Sequence, residues 1–273
     1  MALLGVHNGN DPKAVLHFED WLGRRIDFHS QFLNEDSWDA FDRSVDWALG
    51  HYPDLPRPIV WSVPLIAKDA NLGEAAHGTY NRHYRIAAQK IEATRSEPIL
   101  YVRTGWEFNG NWMKWSSGGR EANFIAAFRN LSACFRTQSD RFAIVWCPNI
   151  GQRDPAPSYP GDEYVDVIGL DFYYQPRWDP AGSAEDIWTY MVTRPFGLQW
   201  HLEFSRKHNK PIAFPEWGVC ADHLGPYIAR AAAWFAASDV IYHSYWDSNA
   251  DYPGRLSDGS YPETGAAFKK AFG

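Results

Sequence analysis

The sequence predicts an α/β fold, a single (β/α)8 TIM barrel over residues 1–273, and three observations carry that prediction. Short apolar segments recur eight times along the chain. The longer segments between them show helical apolar spacing or helix-prone composition. No Pro/Gly/Ser-rich linker, internal repeat or low-complexity tract interrupts this alternation, so one domain is expected rather than two.

The expected strands, in order, are Leu3–Val6, Arg25–His29, Ile59–Val63, Ile99–Arg103, Phe142–Trp146, Val165–Leu170, Ile212–Phe214 and Val240–Tyr245. Several are apolar almost throughout, as strands of a parallel sheet buried on both faces must be. After the second strand, Trp38, Phe41, Val45 and Leu49 fall on one helical stripe, with Ser37 placed to cap its start and Gly50 to stop it. Between Arg120 and Arg136 the stripe is Phe124, Ile125, Phe128, Leu131 and Phe135. Beyond the seventh strand, Ile228 to Phe235 is Ala-rich and helix-prone. The first strand is followed by Gly9 without a GxGxxG pattern, which argues against a doubly wound dinucleotide-binding sheet.

Composition narrows the function classes. The formal net charge is −7 and no Lys/Arg-rich run occurs, so neither nucleic acid nor a membrane surface is an expected partner, and a neutral substrate is mildly favoured. The aromatic set is large, with 14 Trp, 14 Tyr and 16 Phe. Such rings fill cores, and they also offer the flat apolar faces with polar edges that sugars stack on. Cys134, Cys147 and Cys220 lie far apart with no CxxC pair, and free thiols are expected. The ten His residues form neither HxH after the first strand nor HExxH, so no metal and no cofactor is expected; His7, His29 and His243 fall near strand ends. Met1 to Val6 lacks a basic start followed by an apolar h-region, so this segment is not expected to be a signal peptide. A secreted or periplasmic protein with its signal removed is expected over a cytoplasmic one, acting as a monomer. Asn130-Leu131-Ser132 fits a glycosylation acceptor but falls in an expected helix.

In a barrel, residues at the C-terminal strand ends build the active site. Strand four ends as Arg103-Thr104-Gly105-Trp106-Glu107-Phe108-Asn109-Gly110-Asn111-Trp112, and strand seven as Phe214-Pro215-Glu216-Trp217-Gly218. Each places one Glu where strand gives way to loop. Two such carboxyls are what glycoside hydrolysis needs: one protonates the leaving oxygen, the other attacks the anomeric carbon or activates water. A lone Glu there reads equally well as a structural ion-pair partner; two, each beside Trp and Gly, favour catalysis.

The motif from Arg103 to Trp112 resembles the strand-four motif of glycoside hydrolase family 26, which includes β-mannanases and some β-glucanases. Tyr159 to Tyr173 resembles that family's strand-six signature, Trp146-Cys147-Pro148-Asn149 its strand-five segment, and Pro215 to Gly218 its nucleophile segment. The resemblance implies a retaining β-glycoside hydrolase, endo-acting on a β-linked hexose polysaccharide, with Glu107 as acid/base and Glu216 as nucleophile. Tyr173 and Arg103 would donate hydrogen bonds to the nucleophile, and Trp106 and Trp112 would desolvate the acid. Trp112, Tyr173 and Trp246 would line the sugar subsite at the cleavage point. Trp61, Trp146, Asn109 and Asp171 are further candidates for substrate contact, each of which also reads as packing or turn-shaping.

One departure bears on specificity. Mannanases of the family usually carry His just before the acid/base, where this chain has Trp106, so mixed-linkage β-glucan or a bacterial exopolysaccharide is as plausible a substrate as β-mannan. A transglycosylase would share every motif. A non-catalytic glycan-binding protein would need the aromatics but not both carboxyls.

Overall fold

The computed structural model describes residues 2–51 and 55–273. In chain order the elements are β1 (Leu3–His7), α1 (Pro12–Leu22), β2 (Phe28–Phe32), α2 (Trp38–His51), β3 (Ile59–Val63), α3 (Leu72–Ala76), α4 (Asn81–Thr94), β4 (Leu100–Thr104), α5 (Glu121–Arg136), β5 (Phe142–Trp146), β6 (Val167–Gly169), β7 (Phe172–Tyr174), α6 (Ala184–Thr193), α7 (Leu198–Lys207), β8 (Ile212–Val219), α8 (Gly225–Ala237), β9 (Val240–Trp246) and α9 (Pro262–Phe272). Taking β6 and β7 as one interrupted strand gives the predicted eight strand positions, alternating with helices except between β5 and β6, where only a 3-10 turn at Ala156–Ser158 intervenes. Two compact units are distinguished, one formed by Met1–Ser30 with Leu170–Gly273, the other by Gln31–Gly169.

In the Gln31–Gly169 unit, β3, β4, β5 and β6 pair in that order, all parallel. Helix α5 covers this sheet with the predicted stripe: Phe124, Phe128, Leu131 and Phe135 are fully buried, and only Ile125 of the expected set is half-buried. Phe108, from the loop after β4, packs its ring 4.5 Å from Phe124 and 5.1 Å from Trp146. Each such buried side chain contributes about 1.5–3 kcal/mol. Ser37 does cap α2, its Oγ accepting from Ala40 N at 3.2 Å. Gly50 does not stop that helix, which continues to His51. Asn130 lies on α5 and donates its amide to the carbonyls of Ala75 and Ala76, a packing role.

In the other unit, β2, β1, β9, β8 and β7 pair in that order, again parallel. Gly5 of β1 faces Phe28, and a β-carbon there would sit 2.1 Å from the Phe28 ring, so the strands meet only because residue 5 has no side chain. The core is aromatic: Trp217 is fully buried among Phe172, Phe235, Tyr245, Phe268 and Phe272, and its indole N–H donates to His243 Nδ1 at 3.1 Å. Cys134, Cys147 and Cys220 are free thiols, as expected.

Three strands differ from prediction by more than one residue at an end. The second strand begins at Phe28, three residues late, because α1 ends on left-handed Gly23 (φ 88°) and Asp27 turns its carboxylate back to accept from Leu4 N at 2.8 Å. The sixth breaks between Gly169 and Phe172. The seventh, β8, runs on to Val219 through Pro215 and Glu216.

Strands β8 and β9 fall out of register twice. Ile212 faces Val240, Ala213 and Phe214 face Tyr242 and His243, and Trp217 faces Tyr245. Ile241 is therefore an extra residue on β9, and the Pro215–Glu216 stretch holds one extra on β8. Pro215 has no N–H to give to a ladder, so it is tolerated where the ladder is already interrupted.

Candidate active site

Glu107 stands just beyond β4. The chain turns there through left-handed conformations at Gly105 (φ 57°) and Glu107 itself (φ 53°). That region costs a residue with a β-carbon about 1–2 kcal/mol. The turn is held by Glu107 N donating to Cys147 O at 2.9 Å and by Gly110 N donating to Glu107 O at 3.0 Å. Both carboxylate oxygens are gripped: Trp112 Nε1 donates to Oε2 at 2.7 Å, and Asn149 Nδ2 to Oε1 at 2.6 Å. Trp112 can fold back in this way because Gly110 leaves it room; a β-carbon at 110 would lie 2.4 Å from the indole. Its ring remains 49% exposed, which leaves a face for a sugar.

The other strand-four candidates support this turn from beneath. Arg103 is buried, donates Nε to Ser62 Oγ at 3.1 Å, and holds its guanidinium 5.0 Å from the ring centres of both Phe32 and Trp106. Trp106 is buried against Trp115, 4.6 Å between ring centres, and Trp115 Nε1 donates to Trp106 O. The structure corrects three expected substrate contacts. Trp61 and Trp146 are fully buried, so their indoles pack the sheet and offer no face to a sugar. Asn109 spends its amide on loop 149–153, donating to Asn149 O and Arg153 O and accepting from Asn149 N.

Glu216 lies in the other unit, on the irregular stretch of β8, and is 7% exposed. A bulge beside a site re-aims a side chain that regular alternation would commit to one face. Tyr173 Oη donates to Glu216 Oε2 at 2.5 Å. The Tyr173 ring is set by Tyr252, 4.6 Å away, and by Trp246, 6.2 Å away and edge-on. Gly218 permits that packing, since a β-carbon there would come within 3.1 Å of both tyrosine rings. Trp246 donates Nε1 to Tyr252 O at 3.3 Å and lies 4.4 Å from the His7 ring. Asp171 is fully buried at the break between β6 and β7.

Asn149 and Tyr252 were not among the predicted residues. Asn149 stood within the strand-five segment, where a side-chain amide after Pro148 was a legible signal for a carboxylate partner. Tyr252 lies in the loop after β9, and nothing in its neighbourhood marked it.

Comparison with known proteins bears on family and fold. Residues 74–198 match the sequence profile described as Glycosyl hydrolase family 26. The chain is 25% identical to Endoglucanase H of Acetivibrio thermocellus, over 99% of this chain and 30% of that protein. It is 22% identical to a Mannan endo-1,4-beta-mannosidase of Bacillus subtilis, over 59% of this chain and 47% of that one. The chain thus spans under half the length of these relatives. Among solved structures it superimposes on the catalytic domain of a GH26 endo-β-1,4-mannanase from Bacillus sp. JAMB-750 with a TM-score of 0.70 at 18% identity, covering 99% of this chain and 85% of that one. For a GH26 β-mannanase of Bacteroides ovatus the TM-score is 0.65 at 15% identity, covering 99% and 87%. The chain therefore carries the glycosyl hydrolase family 26 signature over residues 74–198 and has the (β/α)8-barrel fold of that family's solved members.

Proposed function

We propose that the protein is a retaining, endo-acting β-glycoside hydrolase in which Glu107 is the acid/base and Glu216 the nucleophile. The observation that carries this is how the two glutamates are held. Each stands on an irregular piece of backbone past or within a strand, and each carboxylate accepts from an aromatic donor, Trp112 for Glu107 and Tyr173 for Glu216. Ion-pair glutamates of a scaffold need neither.

In the first step a Glu216 oxygen attacks the anomeric carbon while the glycosidic C–O bond breaks and Glu107 gives its proton to the leaving oxygen. Tyr173 fixes one oxygen of the nucleophile, Oε2. In the second step Glu107 takes a proton from water as that water attacks the anomeric carbon, and Glu216 leaves as carboxylate. Trp112 and Asn149 each occupy one lone pair of an oxygen, so Glu107 keeps a second lone pair on each to carry or accept that proton.

The relatives' names support a β-1,4-mannan or β-glucan backbone as substrate. Trp106, in place of a histidine, is shielded by Trp115 and Arg103 and brings no polar group to the sugar. That favours a glucan or another β-hexan at least equally with mannan. Incubation with mannan, galactomannan, mixed-linkage glucan, xylan and bacterial exopolysaccharides, with early products read by NMR, tests the proposal. The β-anomer should appear first, and Glu107→Ala and Glu216→Ala should each lose activity by orders of magnitude. Full activity in either variant overturns the assignment.

A further inference from the structure

Beside Glu107 the Gln31–Gly169 unit holds an open groove of about 470 Å3, lined by Glu35, Lys68, Trp112, Met113, Lys114 and Arg120. Its floor is the exposed indole that donates to Glu107 Oε2. Its charge is opposite to that of the whole molecule. The chain carries −7, yet the groove presents three cations against one carboxylate. That carboxylate is already committed: Glu35 lies 3.5 Å from Lys68 Nζ, which also pairs with Asp36 at 2.9 Å. Lys114 and Arg120 form no ion pair among the described residues.

Arg120 is also set in place. Its Nε and Nη2 donate to Ser116 O, and Nη2 to Lys114 O as well, so the guanidinium is pinned to its own loop with its charge unmatched. The nearest acidic side chain in sequence, Glu121, turns away to accept from Gly119 N at 2.9 Å. The Arg153 guanidinium lies over Gly118 in the same loop, where its charge acts on Glu121. A positive groove on a negative protein concentrates anions locally, and an anchored guanidinium suits a carboxylate or sulfate.

We propose that this groove receives an acidic sugar unit, a β-linked residue bearing a carboxylate or a sulfate, next to the bond that is cleaved. The sugar ring stacks on Trp112 while its anionic group meets Lys114 and Arg120. This rests on Glu107 being the acid/base. It turns the substrate from a plain neutral hexan into one carrying uronate or sulfate groups.

The test uses Glu216→Gln protein, which leaves every group of the groove in place, and calorimetry with three matched β-1,4-linked hexasaccharides: neutral, carboxylated at C6, and sulfated. At low salt an acidic oligomer should bind about tenfold more tightly than the neutral one. The difference should shrink to about twofold near 0.5 M salt. Lys114→Glu should abolish or reverse the preference while leaving the neutral oligomer's affinity unchanged. Whichever acidic oligomer shows the preference identifies the group. Equal or weaker binding of both acidic oligomers, or a preference that survives in Lys114→Glu, overturns the proposal. Wild-type cleavage of neutral polymer without acidic preference sinks this inference alone. Salt-sensitive acidic binding with no cleavage of any polymer sinks the catalytic reading instead.

Discussion

The indole N–H of Trp112 donates to Glu107 Oε2 at 2.7 Å, so the most exposed aromatic of the strand-four motif is also a direct partner of the proposed acid/base. Trp112→Phe keeps an aromatic face and removes the donor. A hydrogen bond to a charged group is worth about 1.5–3 kcal/mol. The variant should therefore lose roughly tenfold or more in kcat with little change in thermal stability, because the ring is half exposed. Steady-state kinetics on the best substrate checks this, and an unchanged kcat would show that the Trp112 donor is dispensable for orienting the carboxyl.

Tyr173→Phe removes the donor to Glu216 Oε2 while retaining the packing on Tyr252 and Trp246. The expected result is a fall in kcat of about 10- to 100-fold. In the proposed mechanism both steps involve this carboxylate, as nucleophile and then as leaving group. Pre-steady-state bursts should show which step slows more, and a variant with wild-type rates in both would remove Tyr173 from the mechanism.

Backbone strain at Glu107 separates stability from activity. Asn tolerates the left-handed region better than Glu does. Glu107→Asn should thus melt no lower than wild type, and up to a few degrees higher, while hydrolysis is lost. Calorimetric melting of the two proteins decides it; a clear drop in Tm would mean that the Trp112 and Asn149 bonds outweigh the strain.

Two buried histidines set the acid limit of the fold. Burial, then the nearby His7, lowers His29 to about 3; burial, then Arg24, lowers His243 to about 3. The unfolded chain takes up these protons below about pH 6.5, whereas the folded protein does not until about pH 3. Stability from this source is complete above pH 6.5 and is lost as pH falls, each histidine costing up to about 1.4 kcal/mol per pH unit. Urea midpoints measured from pH 7 down to 4.5 should decline accordingly. His243→Asn, which keeps an acceptor for the Trp217 N–H, should decline less steeply; an unchanged slope would place the sensitivity elsewhere.

Much of this was legible in the sequence, for definite reasons. Helix α5 announced itself through Phe124, Phe128, Leu131 and Phe135 because a 3.6-residue period admits one buried stripe. Glu107 and Glu216 stood out because a carboxylate beside Trp and Gly at a strand end is chemically odd. The roles of the tryptophans were not legible. In strands buried on both faces, Trp61 and Trp146 look no different from a sugar platform, and only burial separates them from Trp112. The start of β2 was misplaced because Asp27 satisfies Leu4 through a side chain, which leaves no mark on apolar periodicity.

The paired slips between β8 and β9 carry one more consequence. The extra Ile241 and the extra residue at Pro215–Glu216 cancel, so Ile212 and Trp217 sit opposite Val240 and Tyr245 as they would in an uninterrupted ladder. Shortening either strand by a single residue would throw everything beyond it onto the wrong face, sending Trp217 or Tyr245 out of the aromatic core. Shortening both by one would restore the phase. The two strands are thus bound to change length together, and the stretch that bears Glu216 can be edited only with a matching edit some twenty-five residues away, on a strand that itself carries no carboxylate.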